Sequence, residues 1–277
     1  MSGLLQGKRV LVTGVLTPQS LAFGAARSAL AQGAEVILTS HGKARRLTER
    51  AAKQLDPVPD VLELDVTNED EWDEVGQEVE RRWHGLDGAL HGVAFAPPGC
   101  MGEGLIGVGW PDVATTLHVS TFSLKALAEM ATPLMEKAGG GSIVGLDFDN
   151  THTWPAYDWM GVAKSALEST ARYLARDLGP RGIRVNLVAS GPIRSTAARS
   201  IPGFKESSSG PGRTPLAWDL RAPLGWDADD TGPVGDACVA LWSDLTRATT
   251  GEILHVDGGH HAVGLGPREA EILAATR

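Results

Sequence analysis

The chain has 277 residues, 42% hydrophobic and 21% charged, a balance that supports a packed core and excludes wholesale disorder. Lys plus Arg number 25 against 34 Asp plus Glu, so a net charge of −9 argues against a general nucleic-acid binder, which needs a basic footprint. The two cysteines, Cys100 and Cys238, make neither a disulfide framework nor a CxxC metal signature. No apolar run of about 18 residues predicts a membrane span, and the first residues lack a signal peptide's apolar core, so the expected location is cytoplasmic.

Residues 8–13 (KRVLVT) read as a buried strand, 20–32 as an alanine-rich helix ended at Gly33, and 35–39 as a second strand. A helix over 43–55 carries basic outward positions, and the third strand is 61–64. A charged helix over 68–83 is capped at Thr67 or Asn68, and 87–95 holds the fourth strand. A long helix over 112–137, bent near Pro133, leads to the fifth strand at 142–147 and a helix at 155–178. The sixth strand is 183–189, followed by a helix at 234–243 and a last strand at 253–256. Continuous apolar strands alternating with helices predict a doubly wound α/β fold: one Rossmann-type domain over 1–277, with a seven-stranded parallel sheet. In that fold ligands bind beyond the carboxyl ends of the strands. Residues 195–232 are the one long irregular stretch and read as a substrate-binding loop and helix insertion, mobile without ligand, with 264–277 a short tail.

The first strand runs into Gly14, which permits a sharp turn, and a helix starting near Ser20 offers free N–H groups to a pyrophosphate. The usual G-x-G-x-x-G is absent. The second strand ends in residues 39–43 (TSHGK), without the carboxylate that usually holds an adenosine ribose. His41 is placed to stack on adenine, while Lys43, Arg45 and Arg46 leave a 2′-phosphate, and so NADPH, open. Asp65 and Val66 end the third strand, either flanking adenine or capping the next helix. Tyr157, one of two tyrosines, precedes Lys164 by seven residues, which in a helix puts both on nearly one face about 10 Å apart, with Met160 between them. A tyrosine hydroxyl can donate to an oxygen gaining charge, and a nearby lysine can hold a ribose and ease phenolate formation.

With these residues in view, residues 14–22 (GVLTPQSLA), 91–97 (HGVAFAP), 145–149 (GLDFD), 157–168 (YDWMGVAKSALE) and 189–194 (ASGPIR) resemble the enoyl-[acyl-carrier-protein] reductases of the short-chain dehydrogenase superfamily, most of all the mycobacterial-type, isoniazid-target branch. The likeness runs from Leu4 to about His261. The Tyr-x6-Lys spacing is specific, since ordinary ketoreductases of the superfamily carry Tyr-x3-Lys, and here that position is Gly161. The resemblance implies hydride transfer from NADH to the β-carbon of a trans-2-enoyl thioester carried on acyl carrier protein or CoA. It implies Tyr157, Lys164 and Phe148 as the catalytic set, with Phe148 beside the nicotinamide and the reacting double bond. It assigns the cofactor to Gly14, Leu16, Ser20, Leu21, Asp65, Val66, Gly92, Ala94, Lys164 and Ile193, with Ser195 near the pyrophosphate. Phe148, Trp154, Tyr157 and Met160 are the expected substrate contacts, and a homotetramer the expected assembly.

Three departures stand out. Trp154 replaces a smaller apolar side chain, which narrows the expected acyl pocket. Residues 201–218 are polar and rich in Gly and Ser where the family's loop is apolar, and Gly92 stands where that branch has serine. Arg194, Arg199, Lys205 and Arg213 are expected to face an acidic carrier protein. His255, His260 and His261 around residues 257–259 (DGG) read as a strand-to-loop turn rather than a metal site. Two other readings use the same residues: a short-chain reductase of a secondary-metabolite enoyl or keto substrate, and a dinucleotide-binding regulator without turnover. A regulator has no need of Tyr157, Lys164 and Phe148 together.

Overall fold

Seven short apolar runs become strands: β1 (Arg9–Val12), β2 (Glu35–Ser40), β3 (Asp60–Glu63), β4 (Gly88–His91), β5 (Gly141–Asp147), β6 (Ile183–Ser190) and β7 (Ile253–Val256). The computed structural model describes residues 3–196, 198, 201, 218–266, 268, 271 and 274. All strand pairs are parallel, in the order β3-β2-β1-β4-β5-β6-β7. The chain starts at mid-sheet, winds out to β3, then returns past β1 to β4 and winds the other way. That reversal opens a crevice beyond β1 and β4.

Successive strand residues point to opposite faces, so Val10 and Val12 join one core and Leu11 the other, as Leu38 and Ile37 do in β2. The first core is covered by α1 (Leu21–Ala31), with Ala51 and Ala52 of α2 (Arg45–Ala52) and with α8 (Gly232–Trp242), whose Trp242 is buried. The second is covered by α3 (Glu69–Trp83), α5 (Ser123–Lys137) and α6 (Asp158–Leu178). Asn68 caps α3 by accepting from Asp70 N, and Glu69, Asp70 and Glu71 complement the helix dipole. No helix of the described residues is long and apolar enough to cross a membrane.

Four expectations need correction. The fourth strand ends at His91, not near Phe95, because Gly92 N turns to Thr13 Oγ1 and Phe95 N and O both bond the Ser120 hydroxyl. The long helix is α4 (Trp110–Leu117), a π-helical stretch (His118–Phe122) and α5. The π-helical stretch is an irregularity that the sequence reading did not place, and Pro133 sits inside α5. Ser120 holds the exit of β4, and Thr121 Oγ1 donates to Ala163 O of α6, so the wider turn serves two neighbouring elements. The helix expected from residue 155 begins at Asp158, leaving Tyr157 at its N-cap position, because Ala156 and Asp158 take positive φ angles of 61° and 36°. Finally, residues 218–232 do pack. Trp218 of α7 (Trp218–Arg221), Ala222, Ala228 and Thr231 are buried, and the Trp226 indole donates to Pro192 O. The mobile-lid expectation for 202–217, with Phe204, Lys205, Arg213 and Leu216, and the carrier-facing role of Arg199 lie outside the described residues.

Candidate functional site

At the crevice the β1 and β4 exits touch backbone to backbone. Gly14 has a φ of 86°, and a Cβ there would lie 2.0 Å from Gly92 O. A Cβ on Gly92 would lie 2.5 Å from Thr13 O, so the serine of the similar branch does not fit this backbone. Ser20 occupies the N-cap position of α1, yet its Oγ accepts from Leu16 N (3.1 Å) and Thr17 N (3.0 Å) rather than from the helix. It therefore shapes the loop and leaves first-turn N–H groups such as those of Leu21 and Ala22 for an anion. Leu21 packs on the first core and Leu16 is half-buried. Across the crevice Ile193 is buried, and Ser195 Oγ accepts from Ala198 N. Thr17 Oγ1 lies 3.5 Å from Thr196 Oγ1, which joins the two loops. Ala94 is exposed just past β4. Arg194 is bound to Asp229, Nε to Oδ1 at 2.9 Å, so it is not the free cation expected for a carrier protein.

At the far end His41 Nδ1 sits 3.8 Å from Asp65 Oδ2, bringing two predicted cofactor residues together. Burial opposes ionisation of Asp65, but hydrogen bonds from Thr67 N (2.9 Å) and Oγ1 (2.7 Å) outweigh it and hold the carboxyl below its ordinary range. Val66 is half-buried, and its carbonyl accepts from the Trp72 indole. Glu63 is a residue the sequence reading missed. It accepts from Gly42 N and from Arg45 Nη1 (3.0 Å), while Arg45 also reaches Glu49 and Val61 O. Arg45 is thereby engaged, and an anion stands beside the end of β2.

The reactive end is built on the exit of β5. Phe148 follows β5 directly, and its ring centroid is 5.2 Å from that of Tyr157. Met160 is buried with Ala96, Cys100, Met101 and Ala163, and Tyr157 packs against them. The turn carrying Tyr157 is strained on both sides, and Asp158 Oδ2 pins it by accepting from Gly102 N (2.7 Å) and Gly104 N (3.1 Å). Lys164 is buried, with Nζ donating to Leu146 O at 2.7 Å. Burial lowers its pKa, opposed by the charge of Asp147. Burial, reinforced by Asp147, raises the Tyr157 phenol above its ordinary value. This corrects the expected easing of phenolate formation: the desolvation cost and the nearby carboxylate keep Tyr157 protonated, a donor rather than a base. His91, at the exit of β4, is pushed down to about 3 by burial and by the Lys164 charge. The Ser123 hydroxyl donates to Val119 O, so His91 Nε2 is the donor in its 2.7 Å bond to Ser123.

Asp147 is 4% exposed, and neither carboxylate oxygen has a well-formed hydrogen bond among the described residues. Burial pushes its pKa up to about 7 from 3.8, with Lys164 opposing. A carboxyl raised on folding contributes stability that is complete below its unfolded pKa and is lost as pH rises through the folded value. The melting temperature of the cofactor-free protein should therefore fall from about pH 4 to about pH 7 and level off above. Asp147→Asn, which needs no proton, should flatten that slope. An equally steep slope in the variant would assign it to another group.

The model of the family described as enoyl-(acyl carrier protein) reductase matches residues 14–261. The chain is 42% identical over 266 residues to the enoyl-[acyl-carrier-protein] reductase [NADH] of Mycolicibacterium smegmatis, covering 94% of this chain and 98% of that protein. It is 35% identical over 271 residues to the protein of the same activity from Aquifex aeolicus, covering 98% and 97%. The Neisseria meningitidis counterpart is 35% identical over 262 residues, covering 93% and 96%.

Proposed function

Because the chain belongs to the enoyl-(acyl carrier protein) reductase family, we infer that it reduces a trans-2-enoyl thioester on acyl carrier protein with NADH, a step of fatty acid synthesis. The observation that carries this reading is the meeting of Phe148, Tyr157 and the buried Lys164 at the exit of β5. The crevice fits the cofactor: glycine backbones in contact at Gly14 and Gly92, first-turn N–H groups of α1, and Ile193 and Ser195 opposite. Gly14, Leu16, Ser20 and Leu21 would hold the pyrophosphate side, His41, Asp65 and Val66 the adenosine, and Gly92, Ala94, Lys164 and Ile193 the nicotinamide half. Bound NADH supplies the hydride. Tyr157, kept protonated, donates a hydrogen bond to the thioester oxygen as that oxygen gains charge. Lys164 would hold a ribose hydroxyl, and its backbone bond to Leu146 O fixes it in place. Phe148 and Trp154 limit water around the reacting carbons.

Oxidation of NADH with enoyl and β-keto thioesters tests this directly. Turnover of enoyl substrates alone is expected; turnover of β-keto thioesters alone would replace the reading. Glu63 supports NADH over NADPH, because a 2′-phosphate near the end of β2 meets an anion and a neutralised Arg45. The kcat/KM should favour NADH by about tenfold or more. A preference for NADPH removes Glu63 from cofactor choice.

The same reading includes a cytoplasmic homotetramer. Trp110, Phe122, Val162 and Tyr173 expose apolar surface on α4, the π-helical stretch and α6, which an interface between copies would cover. Light scattering reads the assembly, and a monomer at micromolar concentration would remove it. Fractionation of the producing cells reads the location, and recovery with membranes or outside the cell would remove that part.

A further inference from the structure

Phe148 is the centre of a contiguous aromatic group that the proposed reaction does not use as a whole. Its ring centroid is 5.2 Å from Trp154, 5.2 Å from Tyr157 and 5.8 Å from Trp218. Trp154 and Trp218 are 5.1 Å apart, and Trp218 stacks on His260 at 3.7 Å and 12°. An alkyl chain passing between two side chains needs roughly 3.5–4 Å to carbon on each side. Rings with centroids 5.1–5.8 Å apart leave no such passage.

The rings are also fixed. The Trp154 indole donates to Asp149 O at 2.6 Å, just past β5, and the Trp218 indole donates to Asp257 O at 2.9 Å, just past β7. Trp218 is 1% exposed, so swinging it aside breaks a buried hydrogen bond as well as its stacking. Among the described residues the other apolar neighbour of Tyr157, the group around Met160, is packed as well: Met101 is buried and Cys100 wholly so.

We propose that Trp154 and Trp218 form a fixed end wall behind Phe148, and that the enzyme acts on short-chain enoyl thioesters. This rests on the enoyl-reductase reading and adds its substrate class. In an open apolar channel each further buried methylene raises kcat/KM about fourfold. With the wall in place that gain stops after the first few carbons.

The test uses the full chain with NADH and a series of trans-2-enoyl-CoA thioesters: crotonyl, hexenoyl and dodecenoyl. The hexenoyl substrate is expected to exceed the dodecenoyl in kcat/KM by about tenfold or more. Because Trp154 belongs to the proposed substrate site, the readout for W154A and W154L is the dodecenoyl-to-hexenoyl ratio, expected to rise at least about tenfold. W218F keeps a ring but loses the bond to Asp257 O, and should shift the ratio the same way by a few-fold even if the Trp154 variants fail to fold. Calorimetry of NADH binding shows that each variant retains its cofactor site. A wild-type enzyme equally active on dodecenoyl-CoA, or folded variants with unchanged ratios, overturns the wall. If wild type reduces no enoyl thioester of any length, the reductase reading falls and this inference with it.

Discussion

Tyr157→Phe is expected to lower kcat roughly 10–1000-fold, as removal of a donor to a developing oxyanion does, with NADH affinity within about twofold of wild type. The change removes one oxygen and leaves the ring, so the contact with Phe148 at 5.2 Å and the packing on Met160 persist. Burial and Asp147 both raise the Tyr157 phenol, so the hydroxyl keeps its proton through the neutral range and acts only by donating. Two measurements follow. Single-turnover rates should fall in the variant while calorimetric NADH binding does not. The wild-type kcat should show no loss up to about pH 10 from ionisation of this group, the ordinary phenol value being about 10. Wild-type turnover in the variant across acyl lengths removes Tyr157 from the chemistry, and a kcat that rises with an ionising phenol would make it a base.

The sheet was legible because a parallel sheet buried on both faces writes each strand as a continuous apolar run, and residues 253–256 coincide with β7 while 142–147 differs from β5 by one residue. Tyr157, Lys164 and Phe148 were legible for a different reason: their chemistry is local, within 17 residues. The residues that were missed act across register or distance. Glu63 matters because β2 and β3 pair with Ser40 opposite Glu63, which no periodicity reveals. Asp158 holds the tyrosine turn through Gly102 and Gly104, more than fifty residues earlier. Trp154, Trp218 and His260 come from three separate strand exits and loops, so the scattered tryptophans gave no hint that they stack. The helix was read as starting three residues too soon because Ala156, at a φ of 61°, is a residue type that does not announce positive φ. Residues 218–232 read as loose because their composition is polar, but two indoles, Trp218 and Trp226, supply the anchors.

Lys164→Met should weaken NADH binding by roughly 10–100-fold, the scale of one lost charge-assisted hydrogen bond. A second effect accompanies it. Lys164 is the opposing charge that limits the raised pKa of Asp147, and both side chains are buried. Without Lys164 the carboxyl keeps its proton further into the neutral range. The stability loss therefore stays below the roughly 3–5 kcal/mol that removing one partner of a fully ionised buried pair costs. The two effects separate in the double variant Lys164→Met, Asp147→Asn. Neutralising Asp147 removes the orphaned acid, so the melting temperature should return most of the way toward wild type. The ribose partner is still missing, so calorimetric NADH affinity should stay as low as in the single variant. Asp147→Asn alone should keep most of its NADH affinity, because Nζ of Lys164 remains held by Leu146 O. Recovery of both stability and NADH affinity in the double variant would mean that Lys164 serves the fold at the exit of β5 and not the cofactor.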